Sequence, residues 1–272
     1  MKDRKFISWE EAVQWLKQQP DQNEFIQACF YDDPLQESVE RYYQSTEWRE
    51  VQNLLSSARR GKALDIGAGR GISTYALAKD GWSVTALEPD PSEVVGSGAI
   101  KKLVQTGLDI TVVEEYAETL PFADNSYDLV YGRAVLHHAK NLKKFCQEAA
   151  RVLKSGGIFL ATREHVISEK NDLRKFLDSH PLHSMYGGEN AYLVSEYKDA
   201  MTGAGLNIKK IFYSYDSNIN LFPATKKEIR GQIAKKTKCN LPQWLIDRIA
   251  IPILSKYDNT PGRLFSFLGT KS

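Results

Sequence analysis

The run LDIGAGRG, Leu64 to Gly71, joins a stretch that reads as a strand, KALDI, to one that reads as a helix, ISTYALAKDG. Its three glycines remove side chains that would hold a ligand away from the backbone, and the helix start offers amide N–H groups. Such a loop belongs at the first strand-to-helix turn of an open α/β sheet, where ligands bind beyond the carboxyl ends of the strands. The rest of the chain agrees. Short β-rich runs, SVTALE, ITVVE, YDLVYG and GGIFLATRE, alternate with helical patterns such as LKKFCQEAARVLKSGG. This predicts a doubly wound, Rossmann-like α/β fold with a mostly parallel seven-stranded sheet. IKKIFYSYD and the terminal RLFSFLGTK read as two further strands that form an antiparallel pair, so the last strand runs against the others.

Flanking this core, residues 1–60 read as an N-terminal helical cap. Ser8 and Glu11 make a capping box, and Trp9, Ala12, Val13 and Leu16 recur at helical spacing until Pro20. Residues 61–272 form the α/β domain, with a lid loop at about 166–192 and a helical insertion at about 224–257 between the last two strands. The 36 basic and 34 acidic side chains leave a net charge of +2, which gives no general electrostatic reason to bind nucleic acid. No apolar run approaches the ~20 residues of a membrane span, and MKDRKFISWEEAV lacks the apolar core of a signal peptide. Cys29, Cys146 and Cys239 lie far apart, as suits a reducing compartment. The expected location is the cytoplasm.

Glycine spacing alone leaves the ligand open. A dinucleotide dehydrogenase wants G-x-G-x-x-G, and the third glycine would fall at position 72, which is Ile72. Glu88 ends SVTALE, where a carboxylate accepts hydrogen bonds from ribose hydroxyls in NAD proteins and in adenosine-containing cofactors alike. The ordered set LDIGAGRG, ALEPD, AETLPFADNSYDLVYGRAVLHH and LKSGGIFLA, spanning about 62–161, resembles the class I S-adenosylmethionine-dependent methyltransferases with a methyltransferase type 11-like domain. The resemblance implies that Asp65, Gly67, Gly69 and Gly71 line the methionine end of S-adenosylmethionine. It implies that Glu88 holds the ribose, that Pro89 packs against adenine, and that Ala117 and Glu118 border the adenine edge. Arg133, at the tip of the fourth strand, completes the expected cofactor set. One departure stands out: the acidic residue often found before that alanine is Tyr116 here, so Glu118 or a backbone carbonyl would meet the adenine amino group.

The acceptor side is less explicit. After the fourth strand come Gly132, Arg133 and Ala134, without the acids of the magnesium-dependent catechol type or the Asn-Pro-Pro of amino-methylating DNA enzymes. All five histidines, His137, His138, His165, His180 and His183, fall in one stretch. His165, at the tip of the fifth strand with Glu164 beside it to orient it, is the expected general base, and His138 is the second catalytic candidate. In HPLHSMYGGENAY, the residues His180, His183, Tyr186, Glu189 and Asn190 are expected to contact the acceptor, with Gly187-Gly188 allowing tight backbone geometry. The same stretch also fits a plain helix-entry loop. His180, His183 and Glu189 match no familiar zinc spacing, so no metal is expected. Tyr42, Tyr43 and Trp48 are expected to close the other side of the cofactor cleft. The basic run Lys226, Lys227, Arg230, Lys235, Lys236 and Lys238 reads as a solvated helix face, or as a surface that draws in an anionic acceptor.

Together these residues lead to an expectation of methyl transfer from S-adenosylmethionine, leaving S-adenosylhomocysteine. The expected acceptor is a small polar molecule methylated at a hydroxyl oxygen, with carbohydrates and polyhydroxyl metabolites in view. Two rivals remain: a methyltransferase-like fold that binds the cofactor without turnover, in a regulatory or assembly role, and an NAD-dependent dehydrogenase.

Overall fold

The computed structural model describes residues 6–179, 181–237 and 242–272. Its strands are β1 (Lys62–Ile66), β2 (Ser83–Leu87), β3 (Ile110–Val113), β4 (Tyr127–Arg133), β5 (Leu153–Ile167), β6 (Tyr192–Leu193), β7 (Leu206–Phe212) and β8 (Arg263–Lys271). They form one sheet in the order β3-β2-β1-β4-β5-β8-β7, with the two-residue β6 pairing beside β5. β1 to β5 pair in parallel, and β8 inserts antiparallel to both β5 and β7. The seven expected strands are all present, and β6 is an addition too short to show a period in the sequence. Chain order reverses between β1 and β4, and a ligand crevice opens at such a switch point.

Helices cover both faces of the sheet, which is why β1 and β4 are apolar in near-continuous runs instead of alternating. On one face the helix Leu142–Val152 presents Phe145, Cys146, Ala149 and Val152 to the core. On the other, the helix Ile72–Lys79 is buried from Ile72 through Ala78, Ser73 and Thr74 included, because something lies on its outer side too. That outer layer is the N-terminal segment: Phe30, Val39, Tyr42, Trp48, Val51 and Leu55 share its core cluster. Tyr42 and Trp48 are therefore fully buried. Trp48 packs edge-on to Tyr131 of β4 at 6.1 Å and donates through Nε1 to Asp80 at 3.1 Å, a structural role in place of the expected one at the cleft. Position in the sequence did not reveal which layer these aromatics would join.

The first helix, Trp9–Lys17, goes elsewhere. Ser8 and Glu11 cap it as expected, and it buries Ala12, Val13 and Leu16. Ala12 and Leu16 pack with Leu182 from the helix Pro181–Tyr186, and the Ile7 N–H donates to the Met185 carbonyl at 3.1 Å. The expected lid segment is thus tied down by the start of the chain. The insertion between β7 and β8 is helical at Lys226–Thr237, Gln243–Leu245, Ile246–Ala250 and Ile251–Tyr257, around a small core of Leu221, Ile229, Ile233, Ile246 and Ile251. Lys238 lies outside the described residues. Among the described residues no helix is long and apolar enough to cross a membrane.

Candidate active site

The glycine loop at the end of β1 adopts left-handed backbone at all three positions, with φ of +63° at Gly67, +54° at Gly69 and +89° at Gly71. At Gly67 packing adds to conformation: a Cβ there would stand 2.1 Å from Val135 Cγ2. At Gly69 a Cβ would meet nothing nearer than Val95 O at 3.7 Å, so that backbone stays open to an incoming group. Asp65, fully buried in β1, accepts from Ser73 Oγ at 2.8 Å and Thr74 Oγ1 at 2.6 Å, both on Oδ2. Its Oδ1 is buried without a partner. Burial raises its pKa to about 7 against the lowering effect of the two hydroxyls. Glu88, just past β2, accepts from the Gly69 N–H at 2.8 Å and the Asp90 N–H at 3.0 Å, and burial raises its pKa too. Glu118 accepts from the Lys140 N–H at 3.0 Å, while Tyr116 is exposed. Ala117 packs at the edge of the core below, and Pro89 follows Glu88 in the same turn.

Arg133 lies deeper than expected. Its Nε and Nη2 bind the two oxygens of Glu47, at 2.6 and 3.0 Å, and Glu47 is fully buried. Arg163 Nη1 stands 3.8 Å from the same carboxylate and donates to the carbonyls of Ile219 and Phe222 at 2.7 and 2.8 Å. Arg163 holds a left-handed φ of +60° where β5 and β8 shift register. Ala134, one residue beyond β4, has a φ of +53°, an uncommon conformation for a residue with a side chain.

Beyond the carboxyl ends of β4 and β5, a second buried cluster gathers residues from three separate stretches. Glu164 of β5 accepts the N–H groups of Val135 and His137, at 3.2 and 3.0 Å, and so caps the 3-10 turn Leu136–His138. The same carboxylate accepts from His137 Nδ1 at 2.7 Å. On its far side, His137 Nε2 forms an ion pair with the buried Glu189 Oε1 at 3.2 Å, without a well-aligned hydrogen bond. The His165 ring stands 4.7 Å from that of His137. Its Nδ1 is 2.7 Å from the Gly262 carbonyl, which only accepts, so Nδ1 carries the proton and Nε2 keeps its lone pair. His183 Nδ1 lies 3.3 Å from the Phe176 carbonyl, and its Nε2 lies 4.0 Å from Glu189 Oε2.

The electrostatics of this cluster are one-sided. Burial disfavours charge on His137, but Glu164 and Glu189 outweigh it and raise its pKa to about 9. Burial would raise Glu189, yet the His137 charge holds it well below the usual carboxylate range. His165 is pushed down to about 3, by burial first and by the nearby charge on His137 second.

Of the residues expected on the acceptor side, the structure brings His165, His183 and Glu189 together; His180 lies outside the described residues. His138 is exposed, with Nδ1 3.1 Å from the Gly188 carbonyl. Asn190 hydrogen-bonds Tyr192, whose hydroxyl donates to Ala139 O at 2.6 Å. The Tyr186 phenol is raised by burial first and by the charge of Glu189 second, and its ring packs edge-on to Trp9 at 5.2 Å. Of the two adjacent histidines after the fourth strand, it is His137, and not the catalytic candidate His138, that joins the cluster.

Residues 64–161 match the family model for a methyltransferase domain. The sheet order and the glycine loop of that segment agree with such a domain. Over 126 residues the chain is 31% identical to an uncharacterized methyltransferase, YcgJ, of Bacillus subtilis (strain 168), covering 43% of this chain and 46% of YcgJ. Over 102 residues it is 35% identical to a sarcosine/dimethylglycine N-methyltransferase of Aphanothece halophytica, covering 37% of each. The chain thus spans about half or less of the length of these relatives. Among solved structures, a sarcosine dimethylglycine methyltransferase assigned in Galdieria sulphuraria superposes with a TM-score of 0.59 over 90% of both chains at 22% identity, which shows a shared fold.

Proposed function

We propose that the protein transfers a methyl group from S-adenosylmethionine to a hydroxyl oxygen of a small polar acceptor, such as a sugar or another polyhydroxyl metabolite. The observation that carries this reading is the convergence of His137, His165, His183 and Glu189 beyond β4 and β5, beside the glycine loop and Glu88. The cofactor side fits its ligand: Asp65 Oδ1 is an orphaned buried acceptor for an ammonium, Gly69 leaves backbone open, and Glu88 offers a carboxylate to ribose hydroxyls. When bound, the cofactor supplies a methyl sulfonium that reacts in line with a nucleophile.

The protein's own task is to hold that nucleophile in line, away from water, and to take its proton. His165 Nε2 is the proposed proton acceptor, since Gly262 fixes its tautomer. Its low pKa is no obstacle, because a hydroxyl proton becomes strongly acidic as the carbon–oxygen bond forms. His183, Tyr186, Glu189 and Asn190, on the segment 166–192 acting as a lid, would fix the acceptor's other polar groups. The unpaired thiols Cys29 and Cys146 accord with a cytoplasmic setting.

The test is to incubate the protein and methyl-labelled S-adenosylmethionine with small-metabolite fractions of a cell extract, separated by charge. Label in neutral or acidic metabolites as a stable ether supports the proposal. Label confined to amines, as the N-methyltransferase relative suggests for itself, moves the methylated atom to nitrogen. Cofactor binding with no labelled product marks a protein that binds without turnover.

A further inference from the structure

The histidine–glutamate cluster has a second property, visible in how its members are anchored. Each imidazole is held at Nδ1 by a group that accepts: Glu164 for His137, the Gly262 carbonyl for His165, the Phe176 carbonyl for His183. In metal sites a ligating histidine donates its other ring N–H to a carboxylate or backbone carbonyl, which fixes the tautomer and aims the remaining nitrogen. Donor atoms of His137, His165 and Glu189 lie within 4.8 Å of one another. Some point therefore lies within about 2.8 Å of all three, so each moves less than about 1 Å to reach the ~2.0–2.2 Å bonds of zinc to imidazole and carboxylate. Glu189 adds a second sign: its side chain is only 7% exposed, and its Oε1 faces the cluster as an ion pair to His137 Nε2 at 3.2 Å, without a well-aligned hydrogen bond.

We propose that His137, His165 and Glu189 bind one first-row divalent transition-metal ion, with Glu164 as the positioning residue behind His137 and a position left open for the acceptor. Two imidazole nitrogens and one carboxylate oxygen suit zinc or iron(II), whereas magnesium prefers an all-oxygen shell. The site uses neither His180 nor the spacing of a local motif. Its ligands come from the turn after β4, from β5 and from the loop before β6, and only the fold brings them together. Resting on the methyl-transfer reading, the proposal gives the open position a purpose. An acceptor hydroxyl bound there loses its proton to solvent as it coordinates, and the metal takes over from His165 the task of making that oxygen nucleophilic.

The experiment uses the full-length protein stripped with a chelator and titrated with cobalt(II), followed by visible absorption, and with zinc, followed by calorimetry. The expected result is one ion per chain, cobalt bands typical of four- or five-coordinate nitrogen and oxygen ligation, and displacement by zinc but not by excess magnesium. Glu189→Gln and His165→Gln are expected to weaken zinc binding at least 100-fold, and Glu164→Gln by roughly 10–100-fold. S-adenosylmethionine affinity is measured on the same samples. If it is retained while the folded wild-type protein takes up no cobalt or zinc at micromolar concentration, the metal proposal falls and the methyl-transfer reading stands. Uptake that all three variants leave unchanged overturns it equally. Circular dichroism melting separates a lost ligand from a lost fold, and the isosteric Glu189→Gln is the variant least disturbing to packing.

Discussion

Two buried polar clusters sit almost back to back at the carboxyl ends of β4 and β5, supplied by neighbouring residues: Arg133 and Arg163 to one, His137, Glu164 and His165 to the other. In the first, guanidiniums that stay charged close on Glu47 and on the carbonyls of Ile219 and Phe222. In the second, imidazoles with alternative protonation states are held at Nδ1, and Glu189 Oε1 meets only His137 Nε2, as an ion pair without a well-aligned hydrogen bond. A cluster that satisfies its own members glues the N-terminal layer to the sheet. A cluster that withholds lone pairs is equipped for chemistry. Charge and burial alone do not separate the two; the count of unspent donors and acceptors does.

The contrast can be broken most forcefully at Glu47. Glu47→Ala should destabilise the protein by about 3–5 kcal/mol, because it leaves two arginines buried without their anion. Denaturant unfolding measures this, and a loss under about 1 kcal/mol would dissolve the distinction. The counterpart is His165→Gln, for which turnover should fall roughly 100-fold or more while cofactor affinity stays within about twofold. A loss of stability without that kinetic loss would move His165 into the structural class.

Glu88→Ala should weaken S-adenosylmethionine binding by about 1–3 kcal/mol by calorimetry, since ribose hydroxyls would lose their acceptor. Away from both clusters, Glu148 provides a control that is structural and titratable. Its Arg151 partner, above all, holds its pKa at about 2, below the ordinary 4.5, and it also accepts from the Leu120 N–H at 2.9 Å. A depressed carboxylate contributes stability that is present above its unfolded value and lost as pH falls through the folded one. Glu148→Gln should thus cost about 1–2 kcal/mol at pH 7, and the gap from wild type should narrow between pH 4.5 and about 2. The smallest effect is expected at His138→Ala, where loss of an exposed contact to Gly188 should change KM by a few-fold and leave kcat nearly intact.

The two halves of the site differed in legibility for a physical reason. Asp65, Gly67, Gly69 and Gly71 are neighbours in sequence because a single loop must do several jobs at once, and Glu88 follows at the next strand end. The acceptor half is assembled across the sheet. His137 meets Glu164 across 27 residues through one ring nitrogen and Glu189, from the loop before β6, through the other. Arg133 was expected beside the cofactor because it stands at the β4 tip, yet its partner lies 86 residues earlier. Strand ends were readable from period and composition; which charge meets which was not, since that depends on layers contributed by distant helices.

The backbone at Gly187, with a φ of +73°, has one more consequence. A Cβ there would fall 2.4 Å from the ring of Phe6. The aromatic near one end of the chain and the missing side chain deep in the lid occupy the same small volume, so neither can change freely while the other stays. Over generations the two positions should drift as a pair: a residue with a side chain at 187 should be found with something smaller at 6. Such linked inheritance between position 6 and the Gly187-Gly188 loop would be visible in aligned sequences.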